Sequence, residues 1–129
     1  MPQIMIIIAA IILALHGLVH LMGTAVYMKL AEIEGLKYKT TLLGGRWDLG
    51  EGGIGVFGAL WAVAAIGFVI AAAAWLAGWG WWQPVLVGVT LFSLALTVLD
   101  WSNAFMGAII NVVILVLLWL GLRFAGWFS

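Results

Sequence analysis

The sequence predicts an all-α bundle of four transmembrane helices with up-down topology. Two observations carry that prediction. Hydrophobic residues make up 67% of the 129 residues and charged residues only 8%, against roughly 45–50% and 25% in a soluble domain. A chain this apolar needs lipid for its solvent. Its apolar residues also gather into four runs of spanning length, and backbone groups in lipid must find their partners within each run, which makes helices of them. Residues 1–129 read as one integral membrane domain, with no linker and no internal repeat.

The first run extends from about Ile4 to Met28 and holds no Asp, Glu, Lys or Arg. At a rise of 1.5 Å per residue, ~20 residues cross a ~30 Å hydrocarbon core. No basic residue precedes this run, so it reads as a retained span rather than a secretory signal. The segment 29–53 holds eight of the ten formal charges. Its first part, Lys29 to Lys39, is expected to continue as a short interfacial helix. The second span covers about Ile54 to Ala77. A tight turn containing Trp79, Trp81 and Trp82 follows, and these rings suit the headgroup level. Pro84 opens the third span, which ends near Leu99. Asp100, Ser102 and Asn103 supply helix-capping side chains before the fourth span, about Ala104 to Phe124. Glycines beside the histidines (Gly17, Gly23) and on the second span (Gly52, Gly55, Gly58) are expected to permit close helix packing.

Several function classes fall away. The formal net charge is zero, and no basic patch exists to neutralise phosphates, so nucleic acid is excluded as a partner. The absence of cysteine removes disulfides, thiolate catalysis and cysteine-bound clusters.

Polar groups at membrane depth are costly and need a partner or a purpose. Depth can be counted from the side of the long loop. His20 lies nine residues before Lys29, roughly 13 Å in, and His16 lies one turn deeper. Asn111 sits at roughly 12 Å, Ser93 at roughly 10 Å and Thr90 at roughly 15 Å. His20, Asn111 and Ser93 therefore form one layer on three spans, with His16 and Thr90 a deeper pair and Trp61 of the second span nearby. His16, His20 and Thr24 share one helix face. The expected result is a polar pocket whose mouth carries Arg46, Asp48, Glu51 and Asp100. The competing reading makes His16, His20 and Asn111 packing residues that only bond neighbouring helices. It also makes residues 46–48 a solvated loop, and Asp100 an ordinary interfacial cap.

The i, i+4 pair His16 and His20 could chelate a divalent metal, but zinc needs at least one further ligand. No Glu follows the first His, so the zinc-protease motif is absent. Haem bound between two histidines needs two helices, and both histidines lie on one. A single His, His with Met22 or Met106, or a symmetric dimer could still hold a tetrapyrrole. A quinone or lipid headgroup held by His20, Asn111 and a Trp ring is a further option. Burial favours neutral imidazoles.

Two stretches, His16-Gly-Leu-Val-His20-Leu and Asp100-Trp-Ser-Asn-Ala-Phe-Met-Gly-Ala-Ile-Ile-Asn111, resemble small uncharacterised bacterial four-helix membrane proteins over most of the chain. The resemblance implies a prokaryotic plasma membrane. In architecture alone the chain is similar to DoxX-like proteins, some of which are associated with quinone-linked redox systems. The four-helix vitamin K epoxide reductases need a cysteine pair that this chain lacks.

The leading expectation is a non-enzymatic accessory or self-associating bundle with a small polar pocket. It would have lipids and further copies or subunits as partners, and no cofactor. The first alternative is a redox-associated subunit binding quinone, haem or metal at His16 and His20. The second is a lipid-binding or lipid-modifying protein. Transport is disfavoured, because four short helices leave little room for alternating access. The excess of Lys and Arg on the loop side places that loop in the cytoplasm and both termini outside.

Overall fold

A computed structural model describes residues 1–124. The fold is an all-α four-helix bundle, and each helix is long and apolar enough to cross a membrane. Helix α1 spans Gln3–Tyr27, α2 Gly50–Leu76, α3 Trp82–Leu99 and α4 Trp101–Arg123. The apolar runs locate all four to within a few residues. The largest difference is at α2, which starts at Gly50 rather than Ile54. Its extra turn places Glu51 where the helix dipole favours an acid. Pro84 falls within the first turn of α3, where no intrahelical N–H is needed.

The helices pack in sequence order: α1 on α2, α2 on α3 and α3 on α4. Helices α1 and α4 barely approach each other. The bundle is therefore unsealed along one side, an α1–α4 seam. Two apolar clusters fill the interior. One, around Phe68, Trp75 and Leu86, lies toward the tryptophan-rich turn. The other, around Ile54, Phe57 and Trp61, lies toward the long loop. The tryptophans of the turn divide between two environments. Trp79 and Trp81 are exposed, as headgroup-level rings should be. Trp82 is instead buried and stacks on Trp75 with ring centroids 4.2 Å apart.

Close packing is narrower than the glycine pattern predicts. A Cβ on Gly17 would stand 2.6 Å from Phe68 Cβ, one on Gly23 2.9 Å from the Trp61 ring, and one on Gly58 3.0 Å from Tyr27 Cβ. Nothing lies within 4 Å of such an atom on Gly52 or Gly55, so those two have no packing role. Phe68 Cβ is held by backbone, so α1 and α2 must separate to admit a methyl at Gly17. Gly17→Ala is expected to destabilise by about 1–3 kcal/mol, whereas Gly55→Ala gains up to about 1 kcal/mol of helix propensity. Unfolding titrations in detergent read both, and a neutral Gly17→Ala would contradict the close approach.

The interfacial helix expected for Lys29–Lys39 does not form. Lys29 takes a left-handed conformation at φ 57° and ends α1, with the Leu30 and Ala31 N–H groups donating to the Ala25 carbonyl. Gly35 turns the chain between the bridged residues Ile33 and Leu36. A short hairpin follows, β1 (Thr41–Leu42) antiparallel to β2 (Trp47–Asp48). Leu42 is buried in the cluster toward the long loop, and the Leu43 N–H donates to the Leu99 carbonyl at 3.0 Å. The first strand thus lies on the bundle end, while Arg46, Trp47 and Asp48 face outward.

Candidate functional site

His20 Nδ1 lies 2.8 Å from the His16 carbonyl oxygen. A carbonyl only accepts, so Nδ1 carries the proton and Nε2 of a neutral ring is left as an acceptor. Ser93 Oγ, 2.5 Å from that Nε2, must donate to it. Ser93 has one proton, so it must accept from its other neighbour, Asn111 Nδ2, at 2.8 Å. Asn111 Oδ1 then faces His16 Nε2 at 2.9 Å and accepts from it. One backbone carbonyl thereby orients every proton in a closed circuit: His16 side chain to Asn111, to Ser93, to His20, to the His16 carbonyl. The circuit ties α1, α3 and α4 together at mid-depth. Asn111 and Ser93 are fully buried and His20 nearly so.

The residues expected to share a layer thus bond directly, and His16 joins them instead of pairing with Thr90. The Thr90 hydroxyl donates to the Leu86 carbonyl of its own helix at 2.6 Å. Thr24 donates to the Gly58 carbonyl at 2.7 Å, and Thr97 to the Ser93 carbonyl at 2.9 Å. Trp61 packs beside His20, with centroids 5.2 Å apart. It is 7% exposed, and its indole N–H has no acceptor among the described residues.

A second polar cluster lies toward the loop. Asp100 caps α3 and precedes α4, yet its carboxylate does not cap the helix. Its backbone carbonyl accepts from the Asn103 and Ala104 N–H groups instead. The carboxylate, 2% exposed, accepts from the Tyr27 hydroxyl and from Lys39 Nζ. Lys39 Nζ also reaches the Thr41 carbonyl at 3.2 Å and the Tyr27 oxygen at 3.4 Å, which occupies its three protons. Asn103 Nδ2 donates to Tyr27 at 2.9 Å and to the Lys37 carbonyl at 3.0 Å. Asp100 is therefore a buried, ion-paired residue rather than a solvated cap.

Between the two clusters lies a cavity of about 240 Å³ opening at the α1–α4 seam. His16, His20, Trp61, Tyr27, Asp100 and Asn103 supply its polar lining, and Met22, Val19, Met106 and Ile110 its apolar walls. A turn of α1 below His16, an apolar groove of about 480 Å³ continues along the same seam between Leu13 and Leu118. Of the four residues expected at the mouth, only Asp100 lines this cavity. Glu51 pairs with Lys29 at 3.2 Å on the exposed surface, which raises the Lys29 pKa. The Gly50 N–H and the Thr40 hydroxyl hold the Asp48 carboxyl below its ordinary value. Arg46 lies in the hairpin turn, exposed. The hairpin is pinned through β1, which leaves Arg46 and Asp48 outside the seam, and Glu51 sits in the first turn of α2.

Tyr27, Lys39 and Asn103 are site residues that the depth count misses. Tyr27 follows His20 by seven residues and Asp100 follows Ser93 by seven. A two-turn spacing on the same faces was the available signal.

The donor set does not suit a divalent metal, and it leaves haem one axial ligand at most from the histidines. Three of the four imidazole nitrogens are committed to the circuit. Among the described residues, no group of three His, Cys, Asp or Glu side chains could hold a metal ion. His16 Nδ1 alone remains, as a single ligand. The chain matches no protein-family model, no curated protein and no solved structure.

Proposed function

We propose that this protein is a non-enzymatic membrane bundle that binds a membrane-dissolved amphiphile in the α1–α4 seam. One observation carries the reading: a cavity with polar lining and an apolar groove lie about one helical turn apart along the α1–α4 seam. Cavities of about 240 and about 480 Å³ together match the ~300–1,000 Å³ of small-molecule sites. A head would enter beside His16 and Trp61, and a chain would lie toward Leu13 and Leu118. Binding through a non-catalytic pocket suits an accessory role in a larger membrane assembly.

Native mass spectrometry of protein extracted in mild detergent tests this. Wild-type protein is expected to retain an amphiphile, and Ile110→Trp, which fills the seam, is expected to lose it. An empty wild type, or equal retention by Ile110→Trp, sinks the proposal. Crosslinking between copies through Met106 and Ile110 would give the seam to self-association instead.

The proposed orientation, loop 29–53 in the cytoplasm and termini outside, rests on the distribution of Lys and Arg. The chain has no native cysteine, so single cysteines report it cleanly. Gly80→Cys should react with an impermeant maleimide on intact cells, and Glu32→Cys only after lysis. The reverse pattern inverts the orientation.

A further inference from the structure

Two residues that line the cavity carry unmatched hydrogen-bonding atoms of opposite kind. The proton logic of the circuit puts hydrogen on His16 Nε2, so Nδ1 bears a lone pair. Among the described residues no donor meets it. His16 is only half-buried and lines the cavity. Trp61 lines the same cavity, and its buried indole N–H has no acceptor among the described residues. Buried polar groups without partners are rare in native proteins, and each calls for an explanation.

Charge narrows the choice. Among the described residues, Asp100 is the only charged one lining the cavity, and Lys39 already neutralises it. Lys39 has spent its protons on Asp100, Tyr27 and Thr41. A phosphate head finds no free cation there, and an ammonium head finds no free anion. The head that fits is neutral.

From these atoms we infer that the seam selects a neutral, long-chain alcohol: a head whose hydroxyl donates to His16 Nδ1 and whose oxygen accepts from the Trp61 indole. The inference rests on the amphiphile reading and adds its head chemistry. An ether, or an oxidised quinone, accepts but cannot donate, and leaves His16 unpaired. A carboxylate would bring an uncompensated charge to mid-depth. The apolar groove between Leu13 and Leu118 takes the chain.

The test is competitive native mass spectrometry on the full chain with two alcohols, geranylgeraniol and dioleoylglycerol, each beside its O-methyl ether. At least one alcohol should bind about tenfold or more tightly than its ether, and His16→Phe should erase that difference. The preferred alcohol assigns an isoprenoid or a glycerolipid source. Because His16→Phe also removes the bond to Asn111, a second readout uses wild-type protein. The ¹⁵N resonance of His16 Nδ1 should shift on adding the bound alcohol and stay in place with its ether. Ethers that bind as well as alcohols, or an unmoved Nδ1 resonance, overturn the hydroxyl inference. The seam reading then stands as long as Ile110→Trp still blocks the probes. Failure of every probe to bind, or binding indifferent to Ile110→Trp, overturns both.

Discussion

Lys39→Met is expected to destabilise the protein by about 3–5 kcal/mol, the cost of breaking a buried pair and stranding one charge. Asp100→Asn should cost less, about 1–2 kcal/mol. The asymmetry follows from exposure. The Asp100 side chain is 2% accessible and the Lys39 side chain 25%. Without Lys39, the buried carboxylate keeps only the Tyr27 hydroxyl among the described residues. Without the carboxylate, Lys39 can extend its flexible stem and carry the ammonium outward. The double variant Lys39→Met/Asp100→Asn buries no charge and should recover most of the Lys39→Met loss. Unfolding titrations in detergent followed by circular dichroism give all three values. Equal costs for the single variants, or no recovery in the double, would contradict the burial of the pair.

Asn111→Leu is the second large effect, at about 2–3 kcal/mol. It leaves the His16 N–H without an acceptor and Ser93 without its donor, at about 1–3 kcal/mol for each buried group. Interhelical bonds in membranes average only about 0.6 kcal/mol, because a helix dissolved in lipid also finds partners. Asn111 nonetheless serves two bonds of a closed ring, so its loss exceeds that of an average bond. Thr90→Val is the control. Its hydroxyl bonds only within α3, and the change should cost under about 1 kcal/mol. The same titrations compare the two. A loss at Thr90 as large as that at Asn111 would mean that the circuit adds nothing beyond ordinary burial.

Much of this was legible before any coordinates. Hydropathy finds the spans because lipid leaves the backbone no alternative to helix. Counting residues from the loop finds the layer of His20, Ser93 and Asn111, because the helical rise is constant. Counting fails where a side chain turns back on its own helix, as Thr90 does. It also fails where contacts between distant segments shape the loop. Lys39 meets Asp100 across 61 residues, and no local pattern announces that meeting. The interfacial helix was a reading of local propensity, and the left-handed Lys29, the Gly35 turn and the reach of Lys39 to Asp100 override it. Tyr27 ends the first helix, a position where tyrosine is commonly an interfacial ring, and here it is a buried partner of Asp100.

The unsealed seam bears on how the chain assembles. Each helix packs chiefly on its immediate predecessor, so an apolar interface can form as soon as the next span enters the bilayer. Contacts close in sequence are the fast ones to make. The long-range links from α1 to the last two helices are polar: His20 to Ser93, Tyr27 to Asp100, and His16 to Asn111. These side-chain pairs fasten the ends of the row, beside an apolar cluster that includes Leu13 and Leu118. A chain that had inserted its fourth span but not yet made these links would be a curved ribbon of helices with its polar atoms waiting along one edge.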